Sequence, residues 1–193
     1  MSSLVIWCIP VVAFAIVVRF VGKLSGREIA KRLGLTLGEK RYYLWALVFS
    51  VVGVFASILV WRLIPSELRD GGNLAQQRFV GRPLTIASIG LALVFGFLET
   101  GLGEELFFRG LIAGWLGRRM KLWQANVIQA AIFTLPHLLI LTADLRLWPI
   151  AVFVPFAAGL ANGWLRLASG SIVPGWLTHG IGNVVSAIVV MLS

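Results

Sequence analysis

Five stretches of the chain, residues 42–61, 83–98, 122–143, 147–165 and 171–193, contain no Asp, Glu, Lys or Arg. A helix of about 20 apolar residues spans the hydrocarbon core of a bilayer, so each stretch is long enough, or nearly so, to cross. Two shorter apolar segments, 4–18 and 102–117, bring the expected count to about seven helices. The fold expected is therefore an all-α integral membrane protein, a bundle of about seven transmembrane helices around an intramembrane polar cavity. Composition excludes the alternative of a soluble domain. With 59% hydrophobic and 13% charged residues and a mean hydropathy of +0.91, the chain is too apolar for a water-facing surface.

The net charge of +9 invites a nucleic-acid partner, but Lys and Arg sit mostly between or at the ends of the apolar segments, where they anchor against headgroups. No nucleic-acid partner is expected; the bilayer is the partner these charges fit. The single cysteine, Cys8, rules out an internal disulfide or a thiolate metal cluster. Met1 to Ser3 carry no basic residue, so the first apolar run is expected to be a retained helix rather than a cleaved signal. Threading the chain as seven helices puts the basic run from Arg19 to Arg41 on one side and Arg118, Arg119 and Lys121 on the other. The positive-inside rule then favours the first loop as cytoplasmic and the amino terminus outside, with Arg118, Arg119 and Lys121 pulling the other way.

Ionisable groups are costly inside hydrocarbon and mark cavities and sites. Residues 96–117 read GFLETGLGEELFFRGLIAGWLG and concentrate Glu99, Glu104, Glu105 and Arg109 in an otherwise apolar run. Glu105 and Arg109 are four apart, one helix face, in the order that suits an ion pair. Glu104 projects about 100° away from Glu105, so one carboxylate is left over in apolar surroundings, a candidate general base. Glu99, just before Gly101 and Gly103, is expected to be structural or interfacial at a helix break. Both histidines also lie in membrane-length segments. Phe133 and His137 are four apart, with Pro136 removing a backbone donor beside the imidazole; His179 and Asn183 are again four apart, with Gly180 and Gly182 between them. Three such patterns on separate apolar helices predict a shared polar cavity. Gly110 with Gly114, and Gly159 with Gly163, have the spacing of close helix packing inside a bundle, and Asn162 is expected to hydrogen-bond within it.

The ordered set Glu104-Glu105-x-x-x-Arg109, Phe133-x-x-x-His137 and His179-x-x-x-Asn183, with Phe107-Phe108-Arg109-Gly110 after the double glutamate, resembles the CPBP family of intramembrane proteases, the CAAX protease and bacteriocin-processing group also called Abi. Its members are similar to the type II CAAX prenyl endopeptidases. The resemblance implies a single membrane domain over 1–193, with variable helices and a basic loop in 1–82 and the catalytic core in 96–190. It implies an endopeptidase in which Glu104 activates water with His137, His179 and Asn183 stabilise the oxyanion, and Glu105, Arg109 and Phe133 support them. The residue types suit peptide hydrolysis, which needs a base, oxyanion donors and a dry cavity.

No cofactor is expected, and zinc is the alternative. Two histidines and two glutamates are conceivable ligands, but there is no His-Glu-x-x-His pair and Asn183 is a poor zinc ligand. The expected substrate is a membrane-associated peptide or protein, lipidated or not, and the expected setting is a monomer in a prokaryotic cell membrane. A peptide- or lipid-binding immunity protein that keeps the cavity without turnover is the second hypothesis. A small transporter is the third, disfavoured by the lack of an internal repeat.

Overall fold

The computed structural model describes residues 3–69 and 75–193; Met1 and Ser2, which precede the expected retained first helix, lie outside the described residues. Those described form helices and connections, with no strand among them. Six helices are long and apolar enough to cross a membrane: α1 (Ser3–Phe20), α3 (Arg41–Leu63), α4 (Ile86–Leu116), α5 (Leu122–Thr142), α6 (Leu145–Ser169) and α7 (Val173–Met191). A short amphipathic helix, α2 (Gly26–Leu33), lies between the first two.

The count is six rather than seven because segments 83–98 and 102–117 join into α4. Gly101 and Gly103 do not end a helix; Gly103 keeps right-handed helical dihedrals (φ −61°, ψ −47°). They serve close packing instead, Gly101 against Trp176 of α7 and Gly103 against Leu4 of α1. The turns on either side widen to π-type i→i+5 bonding over Val94–Leu102 and Glu105–Ala113, a distortion that recurs at functional sites. The carboxylates that break the hydropathy pattern find partners without leaving the bundle. Glu99 accepts from Arg78 at 2.7 Å, and Glu105 pairs with Arg109.

Helix α7 is the centre of the bundle and packs on α3, α4 and α6, while α5 pairs with α6. Small residues bring backbones together at these crossings. A Cβ on Gly96 of α4 would stand 2.7 Å from the Gly180 carbonyl oxygen of α7, and one on Gly180 would overlap the Phe97 ring. Between α5 and α6, Gly159 faces Ala130, and Gly163 leaves room for the Asn126 and Gln129 side chains. Gln129 donates to the Gly159 carbonyl at 2.7 Å and Asn126 to that of Leu160 at 3.0 Å. Asn162, expected to hydrogen-bond in the bundle, is buried against Gly175, and its Oδ1 has no partner among the described residues.

The Ser25 and Glu28 capping box starts α2, and Gly34 at φ 71° ends it in the left-handed conformation. It docks on the end of α4 where Gly110 and Gly114 lie under the Leu33 and Arg32 carbonyls. The connections 21–40 and 117–121 fall at the same end of the bundle because α4 is one span. Burial, with Arg32 and Arg119 nearby, lowers the pKa of Arg118 there. At the opposite end, the turn Ala75–Phe79 dips into the bundle, burying Phe79 completely among Ala92, Phe95, Ala187 and Val190.

Candidate active site

Glu104, His137, His179 and Asn183 come from α4, α5 and α7 and line one cavity of about 570 Å³, together with Trp7, Thr100, Pro136 and Gln76. Such a volume holds a peptide segment of small-molecule size. Local structure sets each side chain. Pro136 has no N–H to continue an α-helix, and α5 tightens to 3-10 geometry over Leu135–Thr142, which turns His137 into the cavity.

The two adjacent glutamates have different surroundings. Glu105 is fully buried; its Oε1 meets Arg109 Nη1 at 3.1 Å and accepts from His179 Nδ1 at 3.0 Å. Glu104 faces the cavity, 16% exposed, with its Oε2 3.7 Å from His179 Nε2. The sequence spacing anticipated the first contact and not the second: Glu105 holds the histidine of a distant helix as well as its own arginine. Arg109 is fully buried too, and its guanidinium carbon lies 4.0 Å from the Phe133 ring centroid. Phe133 also packs against both imidazoles, with centroids 4.8 Å from His137 and 6.1 Å from His179. One ring thus separates the buried cation from the two histidines that face the cavity.

Acceptors fix both imidazole tautomers. His137 Nδ1 lies 2.9 Å from the Phe133 carbonyl oxygen, and His179 Nδ1 lies against a carboxylate oxygen. A carbonyl or carboxylate can only accept, so each Nδ1 carries a hydrogen and the hydrogen-free atom of the neutral ring is Nε2. Asn183 Nδ2 donates to Thr100 Oγ1 at 2.8 Å, and Thr100 donates onward to the Phe95 carbonyl at 2.8 Å. Thr100 was not singled out from the sequence. It reaches the Phe95 carbonyl five residues back through the wide turn, and no residue pattern announces such a turn.

Trp176 Nε1 donates to the Phe97 carbonyl at 2.7 Å and pins α7 to α4 beside the site. Gly175 lies under Glu105, where a Cβ would stand 3.0 Å from Oε2. Trp7 of α1 closes one wall by stacking on Phe107 and tilting against Phe108. Among the described residues, no three His, Cys, Asp or Glu side chains are grouped to hold a metal ion.

Comparison with curated proteins and with solved structures gave no match. The family model for Rce1-like type II CAAX prenyl endopeptidases matches residues 85–185, which contain all four cavity residues and just over half of the chain. The chain therefore belongs to the Rce1-like CAAX protease family and is a membrane-embedded endopeptidase.

Proposed function

We propose that the protein hydrolyses a peptide bond of a membrane-associated substrate by a glutamate-type mechanism, with water activated by Glu104 and His137. The observation that carries this assignment is the contrast between the neighbouring carboxylates. Glu105 is committed to Arg109 and His179, whereas Glu104 opens onto the cavity. A general base must reach the water whose proton it takes, and of the pair only Glu104 lines the space a substrate would occupy.

In the proposed reaction a water placed between Glu104 and His137 Nε2 attacks the scissile carbonyl. Its proton passes to the carboxylate as the new C–O bond forms. The carbonyl electron pair moves onto oxygen. His179, held through Nδ1 by Glu105, donates from a protonated Nε2, and Asn183, oriented by Thr100, supplies a second N–H. That role requires a hydrogen on His179 Nε2, which lies 3.7 Å from Glu104 Oε2. Collapse of the tetrahedral intermediate breaks the C–N bond, and Glu104 returns its proton to the leaving nitrogen.

We assign no metal to this step. A zinc ion would need Glu104 as a ligand and leave no obvious base, and the cavity offers two histidines and an asparagine beside it. The test is cleavage of a candidate peptide in proteoliposomes. Glu104→Gln and His137→Ala should each lower the rate by about 100-fold or more, the scale of general-base catalysis, and prolonged chelation should leave it unchanged. Equal cleavage by Glu104→Gln would reject the mechanism in favour of a binding role. Loss on chelation, restored by stoichiometric zinc, would make Glu104 a ligand.

A further inference from the structure

The end of the bundle that carries α2 gathers arginines that no carboxylate neutralises. With α4 unbroken, the connections α1–α3, α4–α5 and α6–α7 share this end. Arg166 lies three residues before the end of α6 at Ser169 and is 7% exposed. Its Nη2 donates to the Arg32 carbonyl at 2.9 Å, while its Nε is buried and has no partner among the described residues. Arg118, exposed in the α4–α5 connection, reaches the same place. A Cβ on Gly114 of α4 would stand 3.1 Å from Arg166 Nη2 and 3.6 Å from Arg118 Nη1. Two guanidiniums therefore converge over one glycine, with Arg32 and Arg119 beside Arg118.

Like charges held together where water is scarce repel one another unless an anion lies between them. The acids of this end are Glu28 and Glu39, and both are engaged elsewhere. Glu28 Oε2 accepts from the Ser25 N–H at 2.8 Å and from its hydroxyl at 2.7 Å, and Glu39 pairs with Arg41 at 3.0 Å. Among the described residues no ion pair reaches Arg32, Arg118, Arg119 or Arg166. The backbone nevertheless fixes the place. A Cβ on Gly34 would stand 2.5 Å from Arg166 Nε, so the glycine leaves room for the guanidinium. The Ile172 N–H donates to the Gly34 carbonyl at 3.0 Å and the Thr36 hydroxyl to that of Gly170 at 3.0 Å, which ties the end of α2 to the α6–α7 turn.

We propose that Arg118 and Arg166 form a binding site for a phosphate group, carried by a phospholipid headgroup or by a soluble phosphate, at the junction of α2, α4 and α6. Forked guanidinium N–H groups match the oxygens of a phosphate. The three residues from Arg166 to the end of α6 rise only about 4.5 Å, which sets the site at headgroup depth, where basic pockets between membrane helices hold lipid phosphates. Neither arginine lines the catalytic cavity, so the site is separate from the reaction and its test does not depend on cleavage.

The test is thermal unfolding of the full chain in neutral detergent with phosphatidylcholine, followed by tryptophan fluorescence. Part of the phosphatidylcholine is replaced by phosphatidylglycerol, or inorganic phosphate is added instead. A ligand that binds the folded chain raises the melting temperature with its concentration. Arg118 is exposed, so Arg118→Gln should fold; Arg62→Gln removes the same charge from an exposed position at the opposite end. Phosphatidylglycerol should raise the melting temperature of the parent and of Arg62→Gln alike, and Arg118→Gln should need at least about ten-fold more of it, the scale of a lost charge-assisted hydrogen bond. The same Arg118-dependent rise with inorganic phosphate alone would support the site with a soluble ligand, and a rise with lipid only would support a headgroup. No rise with either, or an equal response of Arg118→Gln and the parent, would overturn the proposal. An equal loss in Arg118→Gln and Arg62→Gln would also overturn it, by showing attraction to overall charge in place of a site.

Discussion

Helices α1 and α3 and helices α4–α7 are similarly hydrophobic for different reasons. Of the apolar stretches of α1 and α3, 6% and 11% are buried inside the molecule, against 33%, 33%, 39% and 28% for α4 to α7. The first two are apolar because lipid surrounds them, and residues such as Val12, Phe20, Leu47 and Phe55 are exposed on the bundle surface. The last four are apolar because they pack on one another, and their glycines and polar groups sit at crossings. Hydropathy alone cannot separate the two cases, since a lipid tail and a leucine side chain are equally apolar. Exceptions within the first pair are Trp7, which reaches into the cavity wall, and Tyr42, Ala46 and Ser50, which are buried on the face of α3 that packs on α6 and α7.

This contrast is best broken at Glu105, where the largest effect on folding is expected. Glu105→Ala removes the carboxylate paired with a fully buried arginine and releases His179, and should cost about 3–5 kcal/mol of stability. Thermal unfolding in detergent beside Glu104→Gln, which should keep the fold and lose the activity, separates the two neighbours. A stable but inactive Glu105→Ala would exchange their roles.

Smaller effects belong to the helix crossings. Gly180→Ala places a methyl group in the Phe97 ring and should lower stability by about 1–3 kcal/mol, with a parallel fall in activity because the site straddles α4 and α7. An unchanged melting temperature would show that this contact yields freely. Smallest of all, Val12→Leu on the lipid face of α1 should stay within about 0.5 kcal/mol of the parent. A larger loss would place α1 inside the packed bundle after all.

The class of fold is legible in the sequence because charge-free runs of membrane length have few other uses. The clustering of Glu104, His137, His179 and Asn183 is legible because ionisable and amide groups are rare in such runs. The span count was obscured around Glu99–Glu105, where carboxylates and glycines imitate a helix end. What keeps α4 intact lies outside that window, in Arg78 from the preceding connection and in Leu4 and Trp176 from other helices. The same limit hid the bond from His179 to Glu105, 74 positions apart in the chain, and the link from Asn183 through Thr100. Each depends on how far α4 is turned relative to α7, and wide turns change that angle without a sequence signature.

The unequal lengths of α4 and α7 have a consequence for the bilayer itself. At 1.5 Å per residue the 19 residues of α7 extend about 28 Å, close to the thickness of the hydrocarbon core, whereas 31 residues at the same rise would extend about 46 Å. A helix that exceeds the local thickness tilts, protrudes or thickens the membrane around it, while one that matches has no such need. Glu104 and Glu105 ride on the long helix, His179 and Asn183 on the short one. A thicker or thinner membrane therefore acts differently on the two halves of the site, and the lipid composition around the protein becomes one of the variables that sets the distance between them.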